Sequence, residues 1–176
     1  SNIAKLILIL ADVRDNNYLN AYKNIDGLQK EGLNTYLLPM LKAWLLVGQN
    51  KNDAALKIID KRTSNAGLEI LYGIQGAMIS EFGNNPKDAI ARYTKVAKLQ
   101  KNVNLRVTIL LGNLYERLGK NINAREIYDN YRDKHPETTM LDRAYTRLKT
   151  EKKPGPNNKT ISDGVAEALF SLGFAR

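Results

Sequence analysis

The most constraining stretch of the chain is LLGNLYERLGKNINAREIYDNYRDKHP, residues 110–136. It places Gly112 and Tyr115 ahead of Gly119, and Ala124, Tyr128 and Tyr131 behind it. Before Gly119, the residues Ile109, Leu111, Gly112, Leu114, Tyr115 and Leu118 recur at steps of three and four, which is one apolar face of a helix. After it, Ala124, Ile127, Tyr128 and Tyr131 repeat the pattern. Gly119 sits where the first helix must end, and glycine takes the left-handed conformation that closes a helix without a Cβ penalty. The second helix stops near His135, because the residue before Pro136 is driven away from helical angles. A turn this short makes the two helices antiparallel neighbours. They approach closely where Gly112 and Ala124 keep side chains small, and the tyrosines fill the space beside them.

Earlier segments copy the unit. GAMISEFGNNPKDAIARYTKVAKL offers Gly76, Gly83, Ala89 and Tyr93 in the same order, with one extra residue in its turn at Asn84-Asn85. Asn85 has the chemistry of an N-cap and Pro86 that of a first helical residue. LKAWLLVGQNKNDAALKIID offers Ala43, then Gly48 or Asn50 at the turn, then Ala55 and Ile59, with Leu46 in the place of Tyr115. The faintest copy has Asn16 at the turn, followed by Ala21 and Ile25.

Carried by Leu111, Gly112, Tyr115, Gly119, Ala124, Tyr128 and Pro136, the pattern resembles the tetratricopeptide repeat, a helix–turn–helix unit of about 34 residues. Thr108 stands where that repeat has an aromatic near its start. The resemblance covers residues 3–136. It implies an all-α fold: a right-handed α-solenoid of antiparallel helix pairs, about 3.5–4 repeats, closed by a C-terminal capping helix. GLNTYLLPMLKAWLLVGQN together with GVAEALFSLG is also similar to an alphaproteobacterial family of tetratricopeptide proteins. That likeness implies a bacterial chain that is an interior portion of a longer protein. Ser1-Asn2 then reads as a cloning remnant.

Periodicity and breakers predict helices at 3–14, 18–29, 36–47, 53–62, 67–82, 86–100, 104–118, 122–134, 140–150 and 162–172. No period-two run is flanked by hairpin turns, so no strand is expected. The chain divides into a repeat domain (1–149), a loop (150–161) and a terminal helix (162–176). KTEKKPGPNNKT carries two prolines, a glycine and paired asparagines, and is expected to bury nothing. Thr160 and Asp163 have the spacing of a capping box. Beyond them Val165, Leu169 and Leu172 share a face, with Ala166 and Phe170 beside it. This apolar face is expected to fold back over the last unit; docking on sequence after Arg176, or on a second copy, is the other option.

Composition narrows the chemistry. There is no cysteine, so neither disulfides nor thiolate chemistry is available. The longest apolar run, Leu6 to Ala11, falls far short of the roughly 20 residues that span a bilayer. Cytoplasm and periplasm are both compatible with this. The formal net charge is +9, spread along the whole chain. Lys87, Arg92, Lys95, Lys98 and Lys101 cluster most, yet at 100° per residue they scatter around their helix as a solvated face does. The single histidine, His135, closes a helix with no partner in view. No metal cluster and no phosphate loop is present, and Glu116 and Asp129 read as solvent-facing. Trp44, Gly112 and Ala124 read as packing residues. The expectation is a protein with no enzymatic activity, no cofactor, no metal and no small-molecule substrate.

What the resemblance implies for function is a concave groove, lined by the first helix of each unit, that holds a peptide or helix of a protein partner. Carried onto this chain, the lining residues are Arg106, Ile109, Asn113, Glu116 and Arg117 in one unit, Ile70 and Ala77 (with Gly73 and Ser80) in another, and Lys42 (with Leu45) in a third. Chaperone-binding members grip a terminal carboxylate with Lys, Asn and Arg, but Gly73, Ile74, Ile109 and Leu110 stand where that set is polar. A groove with Ile70, Ala77 and Ile109 suits a segment with apolar anchors instead. The alternative is a helical-repeat protein that binds nucleic acid through its basic surface. It requires paired polar residues recurring at one repeat position, and aromatics free for stacking, neither of which the sequence offers.

Overall fold

The computed structural model describes residues 1–63 and 67–173. The chain is all-helical, with ten α-helices and no strand among the described residues. In chain order they are α1 (Asn2–Arg14), α2 (Tyr18–Ile25), α3 (Asn34–Gly48), α4 (Asn52–Arg62), α5 (Glu69–Phe82), α6 (Pro86–Leu99), α7 (Leu105–Arg117), α8 (Asn121–Lys134), α9 (Asp142–Thr150) and α10 (Ile161–Gly173).

Four of the connections are the same piece of backbone. Asn16, Asn50, Asn84 and Gly119 all have positive φ, at 61°, 59°, 59° and 72°. At each turn the next residue's N–H reaches back five residues: Asn17 to Asp12 O, Lys51 to Leu46 O, Asn85 to Ser80 O and Lys120 to Tyr115 O. Each left-handed residue also bonds the carbonyl three before it. This is the double bond of a Schellman closure, which satisfies carbonyls that the helix end leaves orphaned. Asparagine is the residue after glycine that best tolerates this conformation, so three asparagines and one glycine are chemically equivalent choices here. The next helices then start at once. Asn85 accepts from the Asp88 N–H and Pro86 opens α6, as its missing donor allows.

Each helix from α1 to α8 packs on the next in sequence, and α3 also touches α5. Small residues sit at the crossings. A β-carbon at Gly112 would lie 2.2 Å from the Tyr128 ring, and one at Gly48 would lie 2.5 Å from the Tyr18 ring. Ala55, Ala89 and Ala124 are fully buried, as are Tyr72, Tyr93 and Trp44. One core runs through α1–α7 and takes in α10, while a second, of Ala124, Tyr128, Leu141, Ala144 and Leu148, joins α8 to α9.

Two placements differ from expectation. α2 ends at Ile25 rather than near residue 29. The following segment is tied sideways to α1 instead: Lys5 Nζ donates to Gly27 O at 2.9 Å and the Gln29 N–H to Asn2 Oδ1 at 3.1 Å. The terminal helix does not cover the last hairpin, because α9 already does so through Leu141, Ala144 and Leu148. The chain doubles back and lays α10 across α3, with further contacts to α5 and α1.

Candidate interaction face

The face that α10 covers is built residue by residue. Thr160 and Asp163 start the helix with reciprocal bonds, Thr160 N–H to Asp163 Oδ2 (3.0 Å) and Asp163 N–H to Thr160 Oγ1 (3.2 Å). The helix then buries Ile161, Gly164, Val165 and Ala168, a spacing of three, four and seven that forms one face. Gly164 rests on Trp44 of α3, where a β-carbon would lie 2.3 Å from the indole ring. Trp44 is fully buried, donates its Nε1–H to Gln75 Oε1 of α5 at 2.9 Å, and meets Phe82 edge-on at 6.0 Å between centroids. One more turn along, Glu167 pairs with Arg106 of α7.

The approach to α10 is clamped by a buried carboxylate. Glu81, near the end of α5, accepts from Arg117 Nη1 (2.5 Å), the Tyr93 hydroxyl (3.1 Å) and Asn157 Nδ2 (2.9 and 3.1 Å). Asn157 also donates to Leu110 O at 3.1 Å. Burial, reinforced by the Glu81 carboxylate, pushes the Tyr93 phenol far above its ordinary range. The loop expected to bury nothing therefore buries Asn158 and anchors Asn157.

The residues expected to line a groove do not form one continuous patch. Arg106 and Arg117 lie beside α10 and its loop, held by Glu167 and Glu81. Asn113 is half-buried, and its Oδ1 is buried with no hydrogen-bond partner. Ala77 is wholly buried in the core and Ile70 half-buried. Ile109 packs on the α8–α9 core instead. Lys42 looks toward α2: its Nζ bonds Asp26 Oδ1 at 2.6 Å and lies 5.8 Å from the Tyr22 ring centroid. There it borders a cleft of about 350 Å³ that Tyr22, Lys30, Pro39, Lys61 and Arg62 also line.

Glu116 reverses its expectation. It is 2% exposed, not solvent-facing. It accepts the Tyr128 hydroxyl at 2.6 Å and both Arg147 Nε and Nη2 at 2.9 Å. The reason is geometric: Glu116 lies one turn beyond Gly112, on the face that α8 covers with Tyr128. Burial first, and then the carboxylate, raise the Tyr128 phenol well above its usual range. Arg147 on α9 completes the set. The Gly112–Glu116 spacing was readable; the arrival of Arg147 from a helix 31 residues on was not.

Among the described residues no group of three or more His, Cys, Asp or Glu side chains is placed to hold a metal ion, and no helix is long and apolar enough to cross a membrane. His135 ends α8 stacked on Tyr131, with ring centroids 4.4 Å apart. No family profile, curated protein or solved structure matches this chain.

Proposed function

We propose that the protein is a non-catalytic interaction scaffold, a right-handed solenoid of four tetratricopeptide-like hairpins that binds a helix of a protein partner across α3, α5 and α7. One observation carries this: those helices already hold a helix, α10, through a fitted small residue on Trp44 and a directional ion pair to Arg106. The surface thus has the shape and polarity of a helix-in-groove site. The recurring turns at Asn16, Asn50, Asn84 and Gly119 support the hairpin count, being 34, 34 and 35 residues apart. The nucleic-acid alternative gains less. Arg92, Arg106, Arg117 and Arg147 are each held by carboxylates, and Tyr72, Tyr93 and Tyr128 are packed inside, away from any base.

The test is affinity capture from the source organism, with wild type, Arg106→Glu and Lys98→Glu as baits. Lys98 is an exposed cation on α6 and serves as the charge control. A nuclease-resistant prey protein retained by wild type and Lys98→Glu, and lost with Arg106→Glu, is the expected result. Identical preys on all three baits, or preys released by nuclease, would refute the scaffold.

A further inference from the structure

We infer that the seat of α10 is an exchangeable helix site, and that the partner's docking segment is an amphipathic helix with the chemistry of α10 itself. That chemistry is an apolar residue, a glycine three positions on, an apolar residue directly after it, and an acid three beyond the glycine. The inference rests on the scaffold function above and names the class of partner.

Three features of the seat carry it. First, the small residue is demanded by Trp44. With a β-carbon at Gly164 only 2.3 Å from the ring, a large side chain there cannot be seated without moving a fully buried indole. Second, the acid is demanded by Arg106. This pair lies at the rim, where the Arg106 side chain is 41% exposed, so it sets direction and register more than holding strength. Third, α10 is seated by one face only: it buries Ile161, Gly164, Val165 and Ala168, with Leu169 and Leu172 packed beside them, while Phe170 stays half-exposed. Helices α1 to α9 pack on one another in sequence, so α10 can leave its seat as a local opening that does not part them.

The tether decides how the exchange behaves. Residues 152–160 contain Pro154, Gly155 and Pro156 and form no helix, so α10 is joined to α9 by a short connection. A short tether presents its ligand at roughly millimolar effective concentration. A partner helix in solution must outcompete this, and its apparent affinity falls by the fraction of molecules with an empty seat. α10 therefore sets a threshold that only a helix with the matching small residue and acid passes.

The experiment uses the full chain and a synthetic peptide of residues 158–173. Trp44 is the only tryptophan, so its emission reports the seat directly. In wild type the emission is that of a buried indole and the labelled peptide binds weakly. Gly164→Leu in the full chain is expected to unseat α10, shift the emission to the red, and raise peptide affinity at least tenfold, with the peptide restoring the blue emission. A Glu167→Arg peptide is expected to lose at least fivefold on this variant and to regain it when Arg106→Glu is added to the chain. Should Gly164→Leu lose its overall helicity by circular dichroism, Val165→Asp in the full chain, which puts a charge on the buried face of α10, is expected to unseat it and is read the same way. Unchanged emission in a folded variant, or red emission that the peptide does not reverse, would overturn the inference. So would a wild-type dimer by light scattering that keeps Trp44 buried, because the occupant would then be a second copy. The peptide carries the chain's own sequence, so failure here strikes exchange alone, while failure of the capture experiment strikes the scaffold.

Discussion

Glu116 illustrates how a single residue binds three helices together. Its carboxylate is on α7, its phenol partner on α8 and its guanidinium partner on α9. Removing it leaves the Tyr128 hydroxyl buried without an acceptor and Arg147 without its carboxylate. Arg147 is 28% exposed and regains some hydration, so the cost falls below that of a fully buried pair. Glu116→Ala is expected to lower unfolding free energy by about 2–3 kcal/mol. Chemical denaturation measures this. Glu116→Ala/Arg147→Ala is expected to cost less than the sum of the single changes, by about 0.5–3 kcal/mol of coupling. Strict additivity would mean that the two groups do not act as a pair.

At the scale of elements, the turns are the repeated device. Asn84 sits at φ 59° between α5 and α6, with helices starting and stopping within two residues of it. A β-branched residue there would be forced into a left-handed conformation that costs about 1–2 kcal/mol. Asn84→Val is therefore expected to destabilise the chain by that amount, and Asn84→Gly to leave it within about 0.5 kcal/mol of wild type. Equal thermal midpoints for the two variants would show that the turn's conformation is not the constraint. The same pair of substitutions at Asn50, where φ is 59°, should give the same ordering, since the closing hydrogen bonds are alike.

Across the whole molecule, buried and half-buried polar groups set a window of pH. Burial pushes the Asp88 carboxyl up, but bonds from Ser80 (2.5 Å) and Arg92 (2.7 Å) outweigh burial and hold it below its ordinary value. A lowered folded-state pKa gives stability that is present above the ordinary carboxyl value of about 4 and is lost as pH falls through the lowered one. Tyr93 and Tyr128 are displaced upward, chiefly by burial. Their contribution is whole below the ordinary phenol value of about 10 and is lost as pH rises beyond it. Urea midpoints are expected to hold steady near neutrality and to fall at both extremes. Asp88→Asn should flatten the acid side and Tyr128→Phe the alkaline side. Acid and alkaline limbs that ignore these substitutions would place the titrating groups elsewhere.

What the sequence determined by itself was local. Helix positions, the breaks at Asn16 and Gly119, the cap at Asn85 and the box at Thr160 and Asp163 all follow from dihedral preference, periodicity and nearby hydrogen bonds. So does the closeness of Gly112 to Tyr128, which a short turn between two amphipathic helices dictates. The other two turns, by contrast, read as Gly83 and as Gly48 or Asn50, and take their left-handed residue at Asn84 and Asn50. Only the tertiary structure decided where the last helix lies and which way Glu116 and Lys42 face. The amphipathic pattern of α10 shows that a face needs cover, but not which surface covers it. That choice depends on Gly164 meeting Trp44 across 120 residues of chain, a match of shapes that no periodicity encodes.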